Sequence, residues 1–218
     1  MKILELYQKY KIMLNLQQHQ LRVASVGMFL CDHCSLAEVR AEREVMKEAL
    51  LLHDMGNIIK FDLHFFPEFL KPEGLEHWQK VQSEFKEKYG NNAHKATMQI
   101  LEEIGVSERV SELVNAVSFA KAKQTFESTD FSRKICAYSD MRVGPHGVIS
   151  LQERFEDGQK RYAPKDGKKN SFEYVLQAFY KKIEKQLFEA EDVEAEDVQE
   201  KSVSNYLTEI SGTPSTIN

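Results

Sequence analysis

A histidine and an aspartate, His53 and Asp54, stand side by side in the stretch Glu-Ala-Leu-Leu-Leu-His-Asp-Met-Gly-Asn. Burying both groups in such an apolar segment costs free energy unless each finds a partner. A divalent metal ion suits both, because imidazole and carboxylate are common ligands of zinc, iron and manganese. Two residues hold a metal weakly, so further ligands are needed, and His19 and Asp140 are the candidates.

Helical periodicity predicts that three separate helices position these four residues. His19 shares an apolar face with Val23 and Val26, and His53 lies on the inward stripe of a later helix, with Asp54 at its end. Asp140 lies on the small-residue side of a third helix. A single inward histidine is more often a core residue that is hydrogen-bonded than a metal ligand. Four ligand-type side chains converging from three helices favour a metal site.

The rest of the chain also reads as helix, which predicts an all-α bundle. Leu75–Tyr89 carries apolar residues at helical spacing, and a glycine follows it. Capping signals predict further helix starts at Ser35 (a capping box with Glu38), Asn92, Ser107, near Thr129, Ser150 and Asn170. Gly56 is expected to end the His53 helix with a positive φ. Asn57–Pro72 and Gly158–Lys169 read as loops, and no segment shows the alternation typical of strands.

Length and charge favour one domain with an acidic tail. The 218 residues predict a single helical domain over 1–188 and a tail over 189–218, which is expected to be a solvated helix or a disordered segment. Seven acids and one base lie between Glu189 and Lys201, so the body is nearly neutral and gives no strong nucleic-acid signal. No apolar run is long enough for a membrane span. Three cysteines argue against a disulfide framework and favour the cytoplasm.

The order His19, His53-Asp54, Asp140 resembles the HD-domain superfamily of metal-dependent phosphohydrolases. The resemblance extends to His-Gln-Leu-Arg-Val-Ala after the first histidine, Leu-Leu-His-Asp-Met-Gly at the pair, and Ala-Tyr-Ser-Asp before the last carboxylate. It implies an HD-type helical bundle in which these four residues bind a divalent metal (Mn, Fe, Co, Ni, Zn or Mg). It also implies hydrolysis of a small phosphate ester, expected to be a nucleotide, by a metal-activated water.

The resemblance assigns roles to three further residues. His94 matches the family's middle histidine, and it is expected to act in catalysis together with Asp54. It could bind a second metal, donate a proton to the leaving group or hydrogen-bond the substrate. Arg22, one helical turn after His19, and Lys60, soon after Asp54, are expected to bind the substrate phosphate.

Two departures from the family pattern keep alternatives open. Many two-metal members carry another histidine where this chain has Phe119 and Ala120, which favours one metal per chain. Many members also have a lysine directly after the glycine that follows the His-Asp pair, where this chain has Asn57. One alternative is therefore a regulatory module that binds a metal or nucleotide without turnover. Another is a dinucleoside polyphosphate hydrolase, for which two metals are expected.

Overall fold

The computed structural model describes residues 3–162, 171–189 and 191–212. Its architecture is all-α, as predicted, with 75% of the chain in helix and no strand in the described part. The first six α-helices are α1 (Ile3–Lys9), α2 (Leu14–His33), α3 (Ala37–Ala41), α4 (Arg43–Leu52), α5 (Leu75–Tyr89) and α6 (Ala93–Ile104). They are followed by α7 (Glu108–Ala116), α8 (Ala122–Glu127), α9 (Phe131–Met141), α10 (Leu151–Tyr162), α11 (Ser171–Phe188) and α12 (Glu200–Ser211). Short 3-10 helices cover Asn57–Lys60, Pro67–Leu70, Phe119–Lys121 and Ala195–Asp197.

Three of the predicted helix starts are confirmed by the hydrogen bonds of their capping side chains. The Asn92 side chain accepts a hydrogen bond from the backbone of Lys95 at 2.9 Å, and Ser107 accepts one from Val110 at 3.3 Å. Ser150 and Glu153 form a capping box. The Ser150 N–H donates to the Glu153 carboxylate at 2.7 Å, and the Glu153 N–H donates to the Ser150 hydroxyl at 3.2 Å. Each cap satisfies an amide that the helix itself leaves free.

The capping box predicted at Ser35 is wrong. The chain forms two helices here, α3 and α4, and neither has a side-chain cap. Ser35 instead donates from its backbone N–H and its hydroxyl to the carboxylate of Glu191, at 2.9–3.0 Å. A carboxylate distant in sequence has therefore replaced the local cap, which a local pattern does not reveal.

The expected positive φ at Gly56 is also wrong. Helix α4 ends at Leu52, and Gly56 has a φ of −96°. A glycine is required there for space, because a Cβ would lie 2.5 Å from the carbonyl oxygen of Ala93 and 2.7 Å from the amide nitrogen of Thr97. The segment after Asp54 is thus pressed directly against the start of α6.

Helix α2 forms the centre of the core and packs against α4, α9 and α12. A Cβ on Gly27 would overlap the side chain of Leu50 on α4 and lie 3.3 Å from the Ser139 hydroxyl on α9. A small residue at this position therefore lets three helices approach closely. These are the helices predicted to carry His19, His53 and Asp140.

The acidic tail forms part of this core rather than a solvated extension. Helix α12 is present, but Val198 and Val203 are buried and the Tyr206 ring packs on Phe29 of α2. Arg142, which is 3% exposed, donates to the backbone oxygens of Ala195 at 3.0 Å and Val198 at 2.8 Å. The expected helix of the tail is present as α12, but it packs against α2 along one side and is not solvated all round.

Two expectations fall partly or wholly outside the described residues. Of the predicted loop 158–169, residues 158–162 are helical and the rest lie outside the described part. The predicted helix start at Asn170 also lies outside it, although α11 begins at the next residue. Within the described residues, no helix is long and apolar enough to cross a membrane.

Candidate metal centre

His53 is held in place at the end of α4 with one ring nitrogen facing the other candidate ligands. Its side chain is buried, and its Nδ1 donates to the backbone oxygen of Leu50 at 2.6 Å. Because a carbonyl can only accept, this bond puts a proton on Nδ1 and fixes the orientation of the ring. Nε2 is buried and has no hydrogen-bond partner among the described residues. Histidines that bind metals typically show this arrangement, with one nitrogen anchored and the other free.

His19 and Asp140 approach this free nitrogen from α2 and α9. His19 Nε2 lies 3.0 Å from Asp140 Oδ1, and His53 Nε2 lies 3.5 Å from the same oxygen. The 3.5 Å contact does not have the geometry of a hydrogen bond, which agrees with the unpartnered state of His53 Nε2. The two imidazole rings are tilted, with centroids 5.5 Å apart.

Asp54 completes the group from the loop that follows α4. Its Oδ2 lies 3.8 Å from His19 Nε2 and 3.7 Å from His53 Nε2. Its backbone N–H donates to the side-chain oxygen of Gln20 at 3.2 Å. Gln20 is fully buried and adjacent to His19, so one amide ties the first ligand-bearing helix to the loop that carries Asp54.

The donor distances fit a single metal ion. His19, His53 and Asp54 each offer a ligand atom within 4.8 Å of the others, which makes them a candidate metal-binding triad. Ligand atoms of one tetrahedral metal lie about 3.3–3.6 Å apart when each bond is about 2.0–2.2 Å long. The four histidine-to-carboxylate separations of 3.0–3.8 Å are close to that range, and Asp140 adds a second carboxylate oxygen. Two imidazoles and two carboxylates suit zinc, iron, manganese and related metals.

The electrostatics of the group also favour a cation. Burial lowers the pKa of His53, but the carboxylates of Asp54 and Asp140 outweigh it and raise this pKa to about 9. Burial raises the pKa of Asp140, yet the hydrogen bond with His19 and the attraction of both imidazoles hold it well below its usual value. The carboxylates therefore stabilise positive charge between the imidazoles. A divalent cation can supply that charge in place of a proton.

His94 lies near this group but does not belong to it. It is in the first turn of α6, the helix that packs against Gly56. Its Nε2 lies 2.9 Å from Asn115 Oδ1, which also accepts from Lys121. An oxygen that accepts from lysine accepts from the imidazole as well, so His94 carries its proton on Nε2.

The two predicted phosphate-binding residues have different surroundings. Arg22 Nε donates to Glu200 Oε1 at 2.9 Å, and the other oxygen of Glu200 accepts from the backbone of Val148 at 2.9 Å. The arginine is thus engaged by the acidic segment. Lys60 is exposed at the end of the 3-10 helix Asn57–Lys60.

Sequence reasoning missed three residues that organise this region: Gln20, Asn115 and Glu200. Gln20 left one signal, since it is a polar residue directly beside His19. Asn115 and Glu200 left none, because each acts on a residue more than twenty positions away in the sequence.

Comparisons of the chain with protein-family models, with curated proteins and with solved structures find no match. What can be said of its function therefore stands on the geometry of the site and on the residue pattern.

Proposed function

We propose that this protein is a metal-dependent phosphohydrolase of the HD type that acts on a small phosphate ester. One observation carries the proposal: the anchored, buried His53 presents an unpartnered Nε2 to His19, Asp54 and Asp140. A bound divalent metal supplies Lewis acidity toward a water and toward a phosphoryl oxygen. That the ester is a nucleotide is supported by the residue pattern alone.

The residues divide the work by position. His19, His53, Asp54 and Asp140 would hold the metal, and the 20% exposure of the Asp54 side chain leaves it able to accept a proton from an attacking water. His94 carries a proton on Nε2 and would donate it to the leaving oxygen once it exchanges Asn115 for substrate. Arg22 would bind the phosphate in exchange for Glu200, and Lys60 would add positive charge from the loop.

Metal analysis tests the ligand set. We expect about one transition metal per chain in the purified protein. Asp54→Ala or Asp140→Ala removes one of four expected ligands, so each variant should retain less metal than the native protein after dialysis against a chelator and release less phosphate from nucleotides. Asp62→Ala is a matched control, because Asp62 is exposed and its carboxylate accepts only a local bond from His64 at 3.0 Å among those described. Full metal content in both ligand variants would refute the assignment.

A regulatory module that binds a metal or nucleotide without turnover is the second candidate. The observation that favours it is the ion pair between Arg22 and Glu200, which occupies the expected phosphate ligand. A protein that binds nucleotides in the presence of manganese, yet releases neither phosphate nor nucleoside from a broad panel, would establish this function and exclude the hydrolase.

A further inference from the structure

Three phenylalanines and a histidine form a partly exposed aromatic cluster on one side of the molecule: Phe65, Phe66, Phe69 and His146. The Phe66 ring lies 4.7 Å from that of Phe65 and 5.1 Å from that of Phe69, measured between centroids. The His146 ring lies 6.0 Å from Phe66 and 5.6 Å from Phe69. Phe65 is 49% exposed, His146 is exposed, and the other two rings are half-buried. Large aromatic side chains contribute most when they are buried, so an exposed group of them marks a binding surface.

Both segments that build the aromatic cluster follow a candidate metal ligand along the chain. The phenylalanines lie on the segment that follows Asp54, and His146 lies on the turn that follows Asp140. One connection runs from Asp54 to the phenylalanines and the other from Asp140 to His146. The two connections meet where the His146 ring packs against Phe66 and Phe69.

Both connections are held in place by hydrogen bonds. On the first, the side chain of Gln82 donates to the backbone oxygens of Ile58 at 2.7 Å and Phe61 at 2.9 Å. On the second, Gly144 N–H donates to the oxygen of Gly147 at 2.8 Å and closes the turn. The first connection is thus fixed to α5, and the second is closed by a bond within its own turn.

A single carboxylate joins the His146 turn to the helix that carries His19. Glu200 accepts from Val148, two residues after His146, and from Arg22, one helical turn after His19. Hydrogen bonds through Glu200 therefore link the turn that carries His146 to the expected phosphate ligand on the helix of His19.

We propose that the aromatic cluster binds the base of a nucleotide whose phosphate lies at the metal centre. The inference rests on the proposed function and adds the substrate class to it. Aromatic side chains hold bases by stacking, which is largely independent of base identity because every base has a π-face. Only His146 in the cluster can hydrogen-bond a base edge, so the site should distinguish phosphates with a base from those without one, and purines from pyrimidines only weakly.

Calorimetric titration of the manganese-loaded protein with AMP and with ribose 5-phosphate tests this, because the two ligands share a phosphate and a sugar. We expect AMP to bind about 5- to 150-fold more tightly. Phe66→Leu and Phe69→Leu should remove most of this difference and leave the affinity for ribose 5-phosphate unchanged. Phe65→Leu, at a 49% exposed position, gives a variant whose folding is not at risk and should reduce the difference as well. Phe126→Leu is the matched control, since it alters a half-buried aromatic pair with Phe179 on α8 and α11.

The outcomes separate this inference from the proposed function. Equal affinity for the two ligands, or an AMP affinity that the three cluster variants leave unchanged, overturns the base site even if phosphate is released. An AMP preference that depends on the aromatic cluster supports the base site, and absence of phosphate release in the same samples would then exclude the hydrolase alone.

Discussion

At the scale of single residues, His53 decides what this site can do. Its Nδ1 is committed to the Leu50 carbonyl, and its buried Nε2 has no described hydrogen-bond partner. A buried polar atom in that state costs free energy, so a protein retains one where a ligand satisfies it. Asp54 and Asp140 add negative charge beside it, and Gln20 fixes the backbone of Asp54. The group is therefore a candidate site for a cation.

Replacing His94 tests whether the site performs chemistry. Glutamine preserves a hydrogen-bonding side chain but cannot transfer a proton at neutral pH, and general acid catalysis contributes about 10²–10⁴ in rate. His94→Gln should therefore reduce turnover by about that factor while metal content stays near normal. Steady-state rates and elemental analysis on the same samples measure both. His77→Gln, on the exposed face of α5, should change neither. A loss of metal in His94→Gln would make His94 a ligand and raise the ligand count.

At the scale of elements, close helix approach determines the geometry of the site. Gly27 lets α2 contact α4 and α9, and Gly56 brings the segment after Asp54 against the start of α6. Neither glycine has a positive φ, so both are required for space rather than for backbone conformation. The close approach at Gly27 and Gly56 therefore helps bring the candidate ligands together.

Gly56→Ala should damage both stability and the metal site. The added Cβ would meet the backbone of Ala93 and Thr97, which cannot move without shifting α6, so we expect a loss of about 1–3 kcal/mol. The displaced segment should also weaken metal binding through Asp54. Gly158→Ala is the control: a Cβ there meets nothing within 4 Å, and the position is inside α10. It should stabilise the protein by about 0.5–1 kcal/mol in urea unfolding. Equal stability of the two variants would contradict the packing argument.

Arg109 joins three elements, and its contribution should depend on pH. Its guanidinium bonds both oxygens of Glu42 at 2.7 and 2.8 Å and pairs with Asp130, the cap of α9, at 2.9 Å. Hydrogen bonding by Arg109 lowers the pKa of Glu42. Burial raises the pKa of Asp130, but hydrogen bonds from Arg109 and from the Arg133 backbone, together with the charges of both arginines, lower it overall. Lowered folded-state pKa values stabilise the protein above the unfolded values of about 4, and this stability is lost as the pH falls below them.

We therefore expect Arg109→Leu to cost about 2 kcal/mol at pH 7, with partial screening by water included. The difference from the native protein should shrink as the pH falls from 5 to 3. Urea unfolding at several pH values measures it. Lys123→Ala removes an exposed pair with Glu127 and should show a small change that does not vary with pH. A cost for Arg109→Leu that is constant down to pH 3 would show that packing, not charge, is lost.

At the scale of the whole molecule, the acidic tail and the body are one structure. The buried guanidinium of Arg142 finds two of its acceptors in residues 195–198, and Glu200 holds Arg22 on the helix that carries His19. Backbone oxygens and one carboxylate of the tail therefore bind specific arginines of the body. A change in the tail should affect folding and the site together.

Truncation after Phe188 should be strongly destabilising. It removes the carbonyl acceptors of a buried, charged arginine and the apolar side chains of Val198 and Val203, so we expect a loss of about 3 kcal/mol or more. Urea unfolding measures this loss. Glu209→Gln is the control, because Arg43 also bonds Asp32 and the lost ion pair is exposed; it should cost less than about 1 kcal/mol. Unchanged stability after truncation would show that the tail does not contribute to the core.

The sequence by itself determined the local features of this protein. Apolar spacing and short-range caps predicted an all-α chain and the starts of α6, α7 and α10, because helix periodicity and the first free amides depend on neighbouring residues. The same inward spacing selected His19, His53 and Asp140, with Asp54 beside His53. The structure brings these four side chains together.

Only the tertiary structure decided what lies around them. The Ser35 cap is replaced by Glu191, Arg22 is engaged by Glu200, and His94 is paired with Asn115. Each partner is distant along the chain, so its position depends on how helices pack and not on any local pattern. The gathering of the aromatic rings at the ends of two connections has the same origin, because it requires the Asp54 and Asp140 segments to meet in space.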